Sequence, residues 1–195
     1  MSMSLGSIVL YSHSGAQRAL SFRSARLNVI TGDSKTGKSA IIDIIDYCMG
    51  RSHCNVAEGV IRRSVSWFAI ELLNGKDTLF IARKNPGPGT DTGGDIYIRR
   101  GTYDAPPAFS KLQKTIIEEE LTSLLSRLVG ISENEHQPES GTRLPLTATI
   151  RHALFLCFQK QDEIDNRERL FHPTGRPIYP ASNQGHISLL SRGCG

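Results

Sequence analysis

The chain has 195 residues, 38% hydrophobic and 22% charged, enough for one sizeable domain of ordinary composition. No apolar run reaches bilayer-spanning length. The opening Met1-Ser2-Met3-Ser4-Leu5-Gly6 lacks the basic start and apolar stretch of a signal peptide, so a cytoplasmic location without a membrane partner is expected. A net charge of +4 is too mild to make basicity a nucleic-acid signature. Cys48, Cys54, Cys157 and Cys194 lack C-x-x-C spacing, so Cys48 and Cys157, among apolar neighbours, read as buried free thiols rather than zinc ligands.

In chain order, residues 7–11 and 18–22 read as two strands across a Ser14-Gly15 turn. Leu27-Asn28-Val29-Ile30 is a short, largely apolar run that predicts a buried strand. Directly after it, Gly32-Asp33-Ser34-Lys35-Thr36-Gly37-Lys38-Ser39 fits the phosphate-loop pattern G-x-x-x-x-G-K-[ST] without a mismatch. Residues 40–49 have helical spacing and are closed by Gly50.

Strand, glycine loop and helix are what a triphosphate needs. Loop amides converge on the phosphate oxygens, and the helix start adds partial positive charge. Gly32 and Gly37 permit close backbone approach, Lys38 would reach the β- and γ-phosphates, and Ser39 would place its hydroxyl on Mg²⁺. The candidate nucleotide-binding residues are therefore Gly32, Asp33, Ser34, Lys35, Thr36, Gly37, Lys38, Ser39 and Ala40, with ATP and Mg²⁺ as the expected ligands.

Residues 51–63 read as polar and irregular. A hairpin is predicted from 65–72 and 78–83 across Asn74-Gly75-Lys76-Asp77. A flexible loop from Asn85 to Gly94 precedes a strand at 96–99. From about Ser110 the period becomes helical. Leu112, Ile116, Ile117, Leu121, Leu124, Leu125 and Leu128 share a face, Glu118, Glu119 and Glu120 read as a solvated face, and Gly130 is the cap. Residues 133–143 read as a polar loop, and 146–158 as helix then strand. Arg62-Arg63 and Arg99-Arg100 are read as solvated charge, and Glu71 as a strand residue rather than a catalytic base.

Two meandering strands, a phosphate loop, a helix and an antiparallel lobe resemble the N-terminal half of an ABC-class ATPase head. Within that class the likeness is to the structural-maintenance-of-chromosomes (SMC), RecF and RecN group. The likeness is carried by Leu27 through Gly32, Gly37 through Ile45, and Met49-Gly50. Asp33-Ser34 departs from it, since that group commonly has Asn next to Gly. A second segment, Phe155-Leu156-Cys157-Phe158-Gln159-Lys160-Gln161-Asp162-Glu163-Ile164, resembles the Q-loop, a Gln after an apolar strand. The resemblance implies that Gln161, with Gln159 as the alternative, contacts Mg²⁺ and the attacking water. The same segment is similar to a little-described prokaryotic SMC-like branch whose members include multi-component defence systems.

The resemblance spans residues 4–172. It implies an α/β P-loop NTPase fold, an ABC-like head lobe with a mixed sheet and an antiparallel β lobe, here incomplete. It also implies ATP binding in DNA repair, maintenance or defence, with DNA as a further partner. The residues that complete hydrolysis in that class, a signature loop and an apolar strand ending in Asp-Glu, are not found in the sequence. A second head or a C-terminal half is thus the expected partner, and the chain alone is expected to be inactive. From Pro173 the chain turns to Pro, Gly, Ser and Arg, which predicts a disordered or frameshifted tail over 173–195. A one-nucleotide shift near His172, with permissive codons, can restore an aromatic-rich continuation like the family's. The alternative function is a self-contained small P-loop kinase or NTPase, against which stands the antiparallel-looking lobe.

Overall fold

Alternating side chains set the framework. The computed structural model describes residues 3–34, 36–75, 77–131, 135–136 and 146–158. It divides into two compact units, Met1–Leu154 and Phe155–Gly195. The first contains β1 (Met3–Ser12), β2 (Gln17–Ser21), α1 (Ala40–Cys48), α2 (Val60–Ser64), β3 (Val65–Asn74), β4 (Asp77–Lys84), β5 (Ile96–Arg100) and α3 (Glu118–Leu128). Two short strands, β6 (Glu135–His136) and β7 (Leu146–Thr147), pair with each other. The final helix, α4 (Ile150–Cys157), runs into the second unit, of which residues 155–158 are described.

The molecule is mixed α/β, built on a five-stranded sheet of order β2-β1-β3-β4-β5. Every pairing in it is antiparallel, so the expected mixed sheet is not present among the described residues. Both hairpins foreseen in the sequence form. β1 turns into β2 through Gly15 at φ +86°, and β3 turns into β4 through Gly75 at φ +64°. Left-handed φ values of this kind are why glycine occupies the turns.

The strands β1, β3 and β4 are buried on both faces over their central residues. Val9, Tyr11, Trp67, Ala69, Phe80 and Ala82 point to one side and pack with Leu112, Tyr97, Tyr103 and Phe109. Tyr11 donates its hydroxyl to Pro107 O at 2.8 Å, which fastens the 103–112 segment over that face. The other side carries Ile8, Phe68, Ile70 and Ile81, each fully or almost fully buried. Burial of each of these side chains contributes about 2 kcal/mol. α1 lies here, with the Tyr47 ring edge-on to Phe68 at 6.3 Å and the Cys48 thiol donating to Phe68 O at 3.5 Å.

Four expectations are corrected. Residues 27–30 form no strand; Leu27 is 90% exposed and Val29 72%. A run with strand-forming side chains becomes a strand only beside another strand, and the described residues supply none. The helix expected from Ser110 begins at Glu118 instead. Ile96 at the sheet edge takes Ile116 as a bridge partner, and Thr115 N donates to Ile96 O at 2.8 Å, so this stretch is extended. Glu120 then accepts from Ile117 N at 3.2 Å and starts the helix. Residues 146–158 run strand then helix rather than the reverse, because Thr149 N meets His152 Nδ1 at 3.1 Å and opens α4. Residues 51–63, expected to be irregular, end in the short α2.

Candidate nucleotide-binding site

α1 owes its position to both of its ends. Ser39 is its N-cap residue, with a side chain that makes no capping hydrogen bond. Asp43 lies in the first turn, where a carboxylate interacts favourably with the helix dipole. At the other end, Gly50 at φ +95° closes the helix. There the buried Arg83 guanidinium donates to Tyr47 O at 2.8 Å and to Arg51 O at 2.5 Å. A cation at the carbonyl end of a helix satisfies acceptors the helix cannot and opposes the negative end of its dipole.

Three ion pairs lock this end. Arg83 Nη2 pairs with Glu118 at 3.0 Å. The Asp46 carboxylate is shared, one oxygen with Arg51 and the other with Arg151 Nη1 at 2.5 Å. The acidic triplet is therefore not merely a solvated face, since Glu118 is the counter-ion of a fully buried arginine and Glu120 caps α3. Spacing along α3 did not reveal this, because Arg83 arrives from a strand 35 residues away.

The loop at the N-terminal end is turned in on itself. Gly32 has φ +154° and Gly37 φ +88°. Thr36 Oγ1 donates to Asp33 O at 2.8 Å, and Lys38 Nζ reaches back to Gly32 O at 2.7 Å, to Asp33 O at 2.5 Å and to Thr36 Oγ1 at 3.3 Å. Ala40 N donates to Gly37 O at 3.1 Å and Ile41 N to Lys38 O at 3.2 Å, which carries the turn directly into α1. These contacts bring Gly32, Asp33, Thr36 and Lys38 together, and residues 37–40 lead into α1. Lys35, and the Gln159 and Gln161 of the expected Q-loop, lie outside the described residues, as do Lys160, Asp162, Glu163, Ile164, Cys194 and the 173–195 tail. The apolar run Phe155-Leu156-Cys157 before those glutamines belongs to helix α4, not to a strand.

α2 backs the loop. The φ of Gly37 favours glycine, and an added Cβ would also press on Ile61 Cδ1 at 3.0 Å. Arg62, expected to be solvated, is 1% exposed; it donates to Gly87 O at 2.7 Å and to Thr90 O. Asn85 Nδ2 donates to Arg62 O at 2.8 Å and to Val65 O at 2.7 Å, and this network joins α2 to the 85–91 loop. Of the other paired arginines, Arg99 stacks over Tyr103 at 4.8 Å and Arg100 pairs with Asp77 at 3.2 Å. Glu71 is a β3 residue and accepts from the Ser7 hydroxyl, in keeping with the strand reading.

Comparison with protein-family models, with characterised proteins and with solved structures yields no match to this chain. The chemistry of the site therefore rests on its own residues. Burial pushes the Tyr47 hydroxyl up to about 12 despite the adjacent Arg83, and pushes the Cys48 thiol up to about 12. Cys48 is thus a structural thiol, as expected, whereas Cys157 is exposed, contrary to expectation. Desolvation raises the Cys54 thiol as well.

Lys38 is the one cation that the described loop directs at its own centre. Its ammonium is exposed and rests on main-chain carbonyls, contacts that a phosphate oxygen can replace with a stronger charge-assisted bond. Ser39 fits a Mg²⁺ ligand, being an uncommitted hydroxyl oxygen at the helix start beside the place a polyphosphate would take. No described cluster of three His, Cys, Asp or Glu side chains offers a protein-only metal cage.

Proposed function

We propose that this chain binds Mg-ATP at the 32–40 loop and is the N-terminal part of an SMC/RecF/RecN-like ABC-class P-loop ATPase head acting in DNA repair, maintenance or defence. The observation that carries the reading is the fold of the loop: a glycine turn closed by the Lys38 ammonium and continued without a break into α1. Bound Mg²⁺ would supply neutralisation of the phosphate charge. On this reading Gly32, Asp33, Ser34, Lys35, Thr36 and Gly37 wrap the phosphates with main-chain groups, Lys38 takes the β- and γ-phosphate oxygens, and Ser39 holds the cation with Gln161. The antiparallel sheet beside α1 suits an ABC-like lobe better than the alternating strand–helix order of a small kinase.

Hydrolysis in this proposal awaits a partner, a second head or a C-terminal half. Support for it lies in residues 27–30, whose strand-type side chains stand exposed directly before the phosphate loop. A protein strand laid along them would bury Leu27 and Val29 and complete the sheet on the nucleotide side.

Isothermal titration with ATP, with and without Mg²⁺, tests the binding. Magnesium-dependent uptake that is lost in Lys38→Ala is the expected result, and well-folded protein that takes up no ATP overturns the proposal. Turnover that appears only on mixing with a separately expressed C-terminal half supports the split head. Turnover by the chain alone favours a self-contained NTPase.

A further inference from the structure

The five-stranded sheet has two edges, and they are treated differently. At β5, Ile116 bridges Ile96, and Thr115 Oγ1 accepts from Ile98 N at 2.8 Å, so the edge is covered. At the opposite edge, β2 pairs with β1 alone among the described residues, and all five of its residues are exposed. An open edge is a row of unpaired amides and carbonyls, ready to accept another strand.

The side chains along this edge select what could be added. Arg18 and Leu20 alternate on one face of β2, opposite Leu10 and Ile8 of β1, and Leu20 is 40% exposed. Beyond β2 the chain makes a built turn. Asn28 Oδ1 accepts from Arg23 N at 2.9 Å, and Asn28 Nδ2 donates to Arg23 O and Arg26 O at 3.0 Å each. Ala25 takes φ +54° at its tip, and Ser24 is hydrogen-bonded to Ser4 at 3.0 Å. This turn displays Arg23 and Arg26 to solvent. Arg18, Arg23 and Arg26 enter no ion pair among the described residues, and residues 1–32 contain no Asp or Glu.

We propose that β2 is a docking edge for an extended acidic segment of another polypeptide, in which carboxylates alternate with apolar residues. Main-chain hydrogen bonds to β2 supply the attachment, as in β-strand addition. Carboxylates pair with Arg18 and, past the strand end, with Arg23 and Arg26. Apolar residues of the segment cover Leu20, because opposite charges and apolar pairs across a ladder are the stabilising ones. A second copy of this chain is disfavoured, since edge-to-edge pairing would bring like charges together. A nucleic acid meets the arginines but leaves Leu20 without cover, so the surface fits a protein strand better.

The probes are two fluorescent synthetic peptides, one alternating valine with glutamate and one alternating valine with lysine, and a labelled mixed-sequence DNA duplex. Anisotropy on the intact chain is expected to show binding of the glutamate peptide alone, with amide-exchange protection at residues 17–21. Arg18→Glu is expected to weaken it about tenfold. The triple variant R18E/R23E/R26E is expected to abolish it and to bind the lysine peptide instead. That variant should melt with the parent and take up ATP as the parent does, which separates this surface from the nucleotide site. The proposal is overturned if the glutamate peptide does not bind at low salt, if the triple variant binds it unchanged, if protection falls elsewhere, or if only the duplex depends on these arginines.

Discussion

Arg83 and Tyr47 hold each other twice. The guanidinium carbon lies 4.0 Å from the centre of the Tyr47 ring, and Nη1 donates to the Tyr47 carbonyl at 2.8 Å. One strand residue thereby grips both the side chain and the main chain of α1, the helix that follows the 32–39 loop. Arg83→Ala removes the cap on α1, strands Glu118 and opens a cavity. A loss of about 3 kcal/mol is expected in urea unfolding, with a lowered midpoint. Arg83→Lys is expected to recover less than half of it, since an ammonium cannot reproduce the planar fork.

Lys38→Ala should separate binding from folding. Lys38 is half-buried, and its partners are carbonyls of its own loop. The melting temperature should stay near the parent value, while nucleotide affinity falls roughly ten- to a hundredfold through loss of a charged contact. Calorimetry on the two proteins reads both quantities.

Gly37→Ala is expected to damage both. Its φ of +88° disfavours any Cβ, and that Cβ would press on Ile61 Cδ1 at 3.0 Å. A cost of about 1–2 kcal/mol is expected, together with weaker ATP uptake. Adding Ile61→Ala should relieve the steric part and leave the backbone part, which a double-mutant cycle in denaturant would measure.

Above pH 9 the protein should lose stability. Cys48 is raised from 9.0 to about 12 and Tyr47 from 10.0 to about 12, in both cases chiefly by burial. A raised folded value means that the folded state holds its proton more tightly. The contribution is complete below the unfolded value and is lost as pH climbs toward the folded one. The expected slope is about 1 kcal/mol per pH unit for each group once pH passes its unfolded value, with the raised thiols Cys48 and Cys54 acting before Tyr47. Cys48→Ala should make the profile less steep between pH 9 and 10, leaving the contribution of Cys54. Iodoacetamide at pH 8 should alkylate the exposed Cys157 well before the buried Cys48.

Leu27→Ser and Val29→Ser should be close to neutral in the chain by itself, within about 0.5 kcal/mol, because both residues are exposed there. A loss of several kcal/mol on unfolding would mean that the run is buried in solution. Both variants should reduce aggregation and weaken association with a C-terminal half, seen in light scattering and pull-down.

What was legible in the sequence was local. The two hairpins and the helix over residues 40–48 depend on turn glycines, alternation and spacing within about ten residues, and they form where expected. The second strand of a ladder is a separate matter. Leu27-Asn28-Val29-Ile30 has strand-type side chains, yet lies uncovered because no described neighbour pairs with it, and Asn28 is spent clamping the basic turn. Residues 112–117 have helical spacing, yet Ile96 draws Ile116 into a bridge. Arg62 and Arg83 look like surface charge in one dimension. Only the packed chain brings them carbonyls from residues 87, 90, 47 and 51, and burial of a guanidinium is tolerable only once such acceptors have been assembled around it. The sequence alone determined the G-x-x-x-x-G-K-[ST] pattern over residues 32–39, since it lies in consecutive residues. Tertiary structure decided which charges are buried and which sheet edge stays open among the described residues, since both depend on partners distant in the chain.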